Sequence, residues 1–465
     1  MNQMKKVYTP SLPEALILTI LIVGLISFSI IKFSAAPQIP ILLSIFVLII
    51  FGLIKKISFK DLETGMVIGA QNGLSAVFLF FLIGILIAAW MISGTIPTLI
   101  YGGFHIVTQH FFYAIVFVLT AIVGTSIGSS LTTSATLGVA FIGIASALDA
   151  SLAITAGAIV SGAFFGDKMS PLSDTTNIAS SIMKVDLFEH IRNMAWTTVP
   201  AFIISCIGYA ILSFNISTKN MTRLTGFQDS LVHTHLIHWY SLLPIVLLGI
   251  FAYKKISAFI SLAFNSFFAI ILSYFHHPIS GTELFQVLFN GYVSHTGNKM
   301  IDSLLTRGGL NSMMFTMSLV ILALCMGGLT LTLGIIPVLL QSLSRGLNKI
   351  GTVIMSAAFT AIGVNVFIGE QYLSVILTGE AFQQSFARLG LANKNLSRVL
   401  EDAGAVVNPL VPWSVCGVFL TKVLGVGTLH YLPFSFFCLL SPILTIFFGF
   451  TGKTLTIKET EKISA

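Results

Sequence analysis

The chain has 465 residues, 55% hydrophobic and 9% charged, with a net charge of +7 and a mean hydropathy of +0.95. Soluble proteins carry about 25% charged residues, so this composition excludes an ordinary water-facing surface. The positive excess fits basic cytoplasmic loops and requires no nucleic acid.

Taken in chain order, apolar runs dominate: ALILTILIVGLISFSII (Ala15–Ile31), IPILLSIFVLIIFGLI (Ile39–Ile54), SAVFLFFLIGILIAAWMI (Ser75–Ile92), and so on to YLPFSFFCLLSPILTIFFGF (Tyr431–Phe450). Each approaches or reaches the roughly 20 residues that cross a bilayer. The expected fold is an all-α polytopic membrane protein with roughly 10–14 spans. The first run follows Lys5 and Lys6 and reads as an uncleaved helix, because a second run begins within ten residues. FSAA (Phe33–Ala36) is only a weak cleavage-like pattern. Cys206, Cys325, Cys416 and Cys438 are scattered without metal or redox spacing and read as buried thiols.

The basic residues set an expected orientation. Lys5/Lys6 precede the first run and Lys55/Lys56 with Lys60 follow the second, which puts both positions on the cytoplasmic side. After a mixed loop, Ser213–His235, the pair Lys254/Lys255 follows the first run of a two-run unit instead of the second. Arg345/Lys349, Arg388/Lys394/Arg398 and Lys453, Lys458 and Lys462 fit the same side, giving cytoplasmic N- and C-termini.

The two halves also echo one another. GTIP (Gly94–Pro97) returns as GIIP (Gly334–Pro337), and TSIG (Thr125–Gly128) as TAIG (Thr360–Gly363). Gly128 to Asp167 and Gly363 to Asp402 are both 39 positions (167 − 128 and 402 − 363). FKDLETGMVIG (Phe59–Gly69) has a counterpart in TELFQVLFNGY (Thr282–Tyr292). The order of these echoes and the displaced lysine pair predict two inverted repeats, 1–228 and 229–465, with a binding site between them.

Two polar stretches interrupt apolar runs and carry the candidate chemistry. In GAFFGDKMSPLSDTTN (Gly162–Asn177), Pro171 and Gly166 predict a helix break near Gly166–Pro171. A carboxylate at the centre of a spanning helix costs about 2.5–3.5 kcal/mol, so Asp167 and Asp174 read as groups that a cation or proton neutralises. Ser170, Thr175, Thr176 and Asn177 add the oxygen donors that hard cations prefer. The other reading is an interfacial Asp167–Lys168 ion pair, with SDTTN capping the next helix. The second stretch, LEDAGAVVNPLVPW (Leu400–Trp413), holds Glu401, Asp402, Asn408 and two prolines. Adjacent acids suit a group that gains and loses a proton; a surface acid pair balancing Arg398 is the alternative.

Neighbouring segments supply candidates for a substrate pathway. GTSIGSSLTTSATLG (Gly124–Gly138) brings Thr125, Ser126, Ser129, Ser130, Thr132 and Thr133, and AIGVNVFIGEQY (Ala361–Tyr372) brings Asn365 and Glu370. Small residues also permit close helix packing, which would account for most of these hydroxyls. His233, His235 and His238 read as loop histidines, His105, His110, His276 and His277 as interfacial ones, and Asp149 as a turn residue. No Walker loop, dinucleotide fingerprint, nucleophile elbow or HExxH helix is present, so neither an enzyme nor a cofactor is expected.

At GAFFGDKMSPLSDTTN the sequence resembles the NhaC family of sodium/proton antiporters, with EDAGAVVNPLVPWSVCG (Glu401–Gly417) similar to that family's C-terminal counterpart. The resemblance implies a multi-pass cell-membrane transporter exchanging Na+ for H+. The implied Na+ and proton site combines Asp167, Ser170, Asp174, Thr175, Thr176 and Asn177 with Glu401, Asp402 and Asn408. A branch of the family exchanges carboxylates such as malate and lactate; there Lys168 would face the anion. An amino-acid carrier on the same frame, and a homodimer, stay open. Expected partners are Na+, H+ and membrane lipid.

Overall fold

The computed structural model describes residues 6–71, 73–106, 111–214, 231–254, 256–275, 279–297, 302, 305–344 and 346–457. Lys5, His110, Lys255, His276, His277, Arg345, Lys458 and Lys462 lie outside the described residues, as do most of the loop Ser213–His235 and the side chain of His105. Among the described residues the chain is helical, with two isolated β-bridges and no strand. A helix satisfies its own backbone groups within one segment, as lipid requires.

The first half runs α1 (Leu12–Phe33), α2 (Gln38–Ile54), α3 (Phe59–Gln71), α4 (Leu74–Ile92), α5 (Thr95–Ile106), α6 (Phe112–Ile127), α7 (Ser130–Ala147, a π-helix over Ser134–Gly138), α8 (Leu152–Met169), α9 (Asp174–Met183) and α10 (Leu187–Ser213). The second runs α11 (Leu243–Tyr253), α12 (Ala258–Ser273), α13 (Gly281–Asn290), α14 (Leu310–Thr332), α15 (Ile335–Ser344), α16 (Ile350–Ile368), α17 (Gln371–Arg388), α18 (Asn393–Leu410), α19 (Val415–Leu424), α20 (Thr428–Phe434) and α21 (Phe436–Thr451). Six described helices are long and apolar enough to cross a membrane, or nine if each of three bent pairs counts as one. The expected 10–14 would also need shorter apolar helices such as α6 to cross.

Burial separates periphery from centre. Only 17% of the apolar window of α1 and 28% of that of α10 is buried, against 83% for α7 and 72% for α8. Ile17, Ile20, Ile203, Ile207 and Ile211 point outward, as lipid-facing side chains do. Helices α7 and α8 lie in the interior, and α8 carries Asp167 and Lys168.

The interior contains two helical hairpins. Helix α6 stops at Gly128, whose φ of +72° turns the chain, and α7 returns so that the Ser151 amide donates to the Tyr113 hydroxyl at 2.9 Å. The second hairpin turns at Gly369, φ +78°, between α16 and α17. Its open end is fixed by hydroxyl bonds from Ser356 to the Leu343 carbonyl and from Ser385 to the Ser344 carbonyl, both 3.1 Å.

The hairpins open toward opposite ends of α10, whose 27 residues extend about 40 Å. Ser213, at one end, accepts from the Tyr113 amide at 3.0 Å. At the other end Lys394 pairs with Glu189 at 2.8 Å, and His190 meets the Ser397 hydroxyl at 2.8 Å. Each hairpin tip lies against a helix interruption. A Cβ on Gly128 would sit within 3 Å of Leu172 and Ser170, and the Val415 amide donates to the Gly369 carbonyl at 2.8 Å.

These landmarks recur at one spacing. Gly128 and Gly369 are 241 positions apart (369 − 128), as are the helix-capping Ser173 and Ser414 (414 − 173). Gly363, the sequence counterpart of Gly128, lies inside α16 and makes no turn. The same spacing separates Asp167 from Asn408 (408 − 167). The first break is also later than its glycine suggested. Gly166 is helical, so close to α6 that an added Cβ would meet the Thr125 amide nitrogen at 2.4 Å, and the interruption spans Ser170–Ser173. Similarly Gly404 lies within a π-helix, Leu400–Ala405, and the second interruption spans Val411–Ser414.

A left-handed conformation costs an L-residue about 1–2 kcal/mol. Gly369→Ala is therefore expected to destabilise the protein by about that amount. Gly363→Ala, in mid-helix with open space around it, is expected to be neutral or slightly stabilising. Thermal unfolding in detergent of the two variants checks the placement of the turn.

Candidate functional site

Broken helices leave backbone groups to satisfy, and several expected ligands do this work. Asn177 donates to the Pro171 and Ser173 carbonyls at 3.0 and 2.7 Å, and Thr176 donates to the Lys168 carbonyl at 3.2 Å. The Ser170 hydroxyl accepts from the Leu172 amide at 3.3 Å. At the second break Asn408 accepts from the Cys416 amide at 3.1 Å and donates to Asn365 at 2.8 Å, while Asn365 donates to the Gly404 carbonyl at 2.5 Å. The Tyr431 hydroxyl donates to the Pro409 carbonyl at 2.7 Å. These bonds make irregular backbone tolerable at membrane depth.

The carboxylates have a different placement. Asp167, in the last turn of α8, accepts from the Ser130 amide at 3.2 Å and its hydroxyl at 2.7 Å. It thus lies at the N-terminus of α7, where unpaired amides favour an anion. Glu370 caps α17 in the same way, accepting from the Leu373 amide at 2.7 Å. Asp174 is the first residue of α9.

All three acids line one cavity of about 820 Å³ between the two hairpin tips. Ser129, Ser130, Thr132, Thr175, Gln371 and Tyr372 add polar atoms, and Thr175 shares a 3.0 Å hydrogen bond with Ser173. The remaining wall is apolar, including Phe80 and Ile83 of α4, Leu262 of α12 and Val320 of α14. Among the described lining residues none is Lys, Arg or His. Nor do three acidic, His or Cys side chains converge as metal ligands among the described residues, so the acids are spread over the wall.

Behind the cavity lies a second group. Lys168 pairs with Asp402 across 234 positions, and both are fully buried, at 1% and 0% exposure. Thr197 donates to the same Asp402 oxygen at 3.2 Å. Neither oxygen of the neighbouring Glu401 has a hydrogen-bond partner. A carboxyl group so placed remains only by holding a proton or meeting a cation. Arg398 is also buried and donates to Thr454.

Other expected residues lie elsewhere. Thr125 and Ser126 donate to carbonyls one turn back on α6 and face a separate cleft with Phe165 and Phe202. Thr133 is buried against the Ser129 carbonyl. Lys168 does not line the cavity. Ser129 and Ser130, named with the other hydroxyls of Gly124–Gly138, do line the cavity, whereas Gln371, Thr197 and His190 were not singled out by the sequence.

Comparison with known proteins agrees with this frame. Residues 162–453 match a family model described as the Na+/H+ antiporter family. The Na(+)/H(+) antiporter NhaC of Alkalihalophilus pseudofirmus is 43% identical over 90% of this chain and 90% of its own length. The Na(+)/H(+) antiporter NhaC of Bacillus subtilis is 39% identical over 90% and 93% of the two chains. The Malate-2H(+)/Na(+)-lactate antiporter of Bacillus subtilis is 32% identical over 99% of each. With matches of this extent on a helical membrane frame, the chain belongs to the Na+/H+ antiporter family.

Proposed function

We propose that this multi-pass membrane protein exchanges Na+ for H+ by competition for the carboxylates of the central cavity. The observation that carries the reading is that Asp167, Asp174 and Glu370 all line one cavity at the tips of two hairpins. Asp167 with the Ser130, Thr132 and Thr175 hydroxyls would hold the cation, and Asp174 and Glu370 would complete the field around it. A site loaded with a proton repels Na+, and one loaded with Na+ has released its proton, so exchange follows from shared occupancy. Glu401, next to the Lys168–Asp402 pair, would serve as a further proton holder.

The two halves, 1–228 and 229–465, would act as inverted repeats with both termini cytoplasmic. What supports this is the common 241-position spacing (369 − 128) and hairpins open toward opposite ends of α10. One bundle moving against the other would alternate access to the tips. An organic anion is the poorer cargo, because the described cavity lining has no cationic side chain and Lys168 is already paired.

The test uses protein in liposomes with an internal pH dye and an imposed pH gradient. Addition of sodium chloride is expected to move protons with no organic acid present, and potassium chloride to do so far less. Proton movement that appears only with malate or lactate on one side would overturn the reading.

A further inference from the structure

Carboxylates attract a cation, but charge alone does not tell Na+ from K+. Discrimination at equal charge comes from the number of oxygen ligands and how rigidly they are held. The cavity hydroxyls Ser130, Thr132 and Thr175 all belong to the first half; Tyr372 brings one from the second. Tyr372 lies in the first turn of α17, two positions after the capping Glu370. Helices α9 and α17 both begin at the cavity and pack together. A Cβ on Gly379 would meet Met183 at 3.0 Å and Ile182 at 3.3 Å, so the two run side by side in one direction. Gly379 is seven positions beyond Tyr372 (379 − 372) and Ile182 eight beyond Asp174 (182 − 174), which puts Tyr372 level with Asp174. Each helix also turns an isoleucine to the cavity four positions later, Ile178 and Ile376. The half-buried Tyr372 has no hydrogen-bond partner for its hydroxyl among the described residues, and that hydroxyl is not enclosed as the Gln371 Oε1 is. It interacts electrostatically with Asp174, Glu370 and Asp167.

We infer that Tyr372 determines cation specificity, its hydroxyl oxygen serving as a ligand from the second half to the cation held at Asp167. The inference rests on the assignment of Asp167 as the cation site and adds the residue that sizes that site. A phenol both donates and accepts. With no cation bound its O–H can donate to a carboxylate, and with a cation bound its lone pairs turn to the ion. Na+ must exchange a tighter water shell than K+ for protein oxygens, so loss of one fixed oxygen costs Na+ more. Because Asp167 and Tyr372 belong to different hairpins, the complete ligand set exists only while the two tips face each other.

The experiment is the liposome assay on the full chain, with initial rates of proton movement measured against sodium, lithium and potassium chloride at constant ionic strength. Tyr372→Phe keeps the ring and removes one oxygen. It is expected to raise the half-saturating sodium concentration about tenfold, the worth of one contact to a charged group. The rate at saturating sodium is expected to stay within about twofold, as for a group that binds the ion without limiting turnover. The preference for sodium over potassium is expected to fall about as far as the sodium affinity. An unchanged half-saturation and preference in Tyr372→Phe would overturn the inference. So would a lower saturated rate with half-saturation unchanged, which marks a role in packing or gating. In both cases sodium-driven exchange by the unmodified protein leaves the cation site at Asp167 standing. No sodium-driven exchange by the unmodified protein would overturn both readings.

Discussion

Asp167→Asn is expected to lower sodium-driven proton exchange at least 100-fold while leaving the protein folded. The asparagine keeps the shape and still offers an oxygen to the Ser130 amide and hydroxyl that now donate to Asp167, so the cap of α7 survives. What it removes is the charge. Two unit charges about 4 Å apart attract by about 4 kcal/mol at an effective dielectric of about 20, close to a thousandfold in affinity. Asp174→Asn is expected to cost less, about tenfold, because Asp174 is exposed into the cavity and better screened. Asp167→Glu retains charge and is expected to keep partial exchange. Initial rates of dye-reported proton movement, normalised to reconstituted protein, give the comparison. Exchange within twofold of the unmodified protein in both Asp167→Asn and Asp174→Asn would remove these acids from the mechanism.

Asp167 and Asp174 were legible in the sequence because an acid in an apolar run carries a large insertion cost and therefore needs a reason. Glu370 was legible on the same ground. The proline-marked breaks were legible to within a few residues, because proline forbids a helical bond wherever it lies. Helix face was not. Thr125 and Thr132 come from one hydroxyl-rich stretch, yet Gly128 turns the chain between them, so that Thr132 lines the cavity and Thr125 faces outward. The turn itself misled: the Gly128 echo in letters is Gly363, while the echo in geometry is Gly369, six positions on (369 − 363). The apolar wall was invisible, since Leu262 and Val320 have the same letters as side chains facing lipid. Pairing at a separation of 234 residues, as between Lys168 and Asp402, leaves no local pattern to read.

That pair supports the other large expected effect, on stability. Lys168 of α8 and Asp402 of α18 join the two halves where neither side chain meets solvent. Removing one partner leaves the other charge buried and unpaired, at a cost of about 3–5 kcal/mol. Lys168→Met is expected to be at the upper end, because Asp402 would then stand beside Glu401, whose oxygens already lack partners. In Asp402→Asn the amide oxygen still accepts from Lys168 and Thr197, which softens the loss. The double variant Lys168→Met/Asp402→Leu removes both charges together, and replacing a buried pair by apolar groups of similar volume is often neutral or stabilising. Its stability is expected within about 1 kcal/mol of the unmodified protein. Lys394–Glu189 is the internal standard: it also joins the two halves, but with Glu189 51% exposed, so Lys394→Met is expected to cost less than about 1 kcal/mol. Denaturant unfolding in one detergent ranks the four variants. If the double variant is as unstable as Lys168→Met alone, the loss comes from packing around α8, and the ion pair is not what holds the halves together.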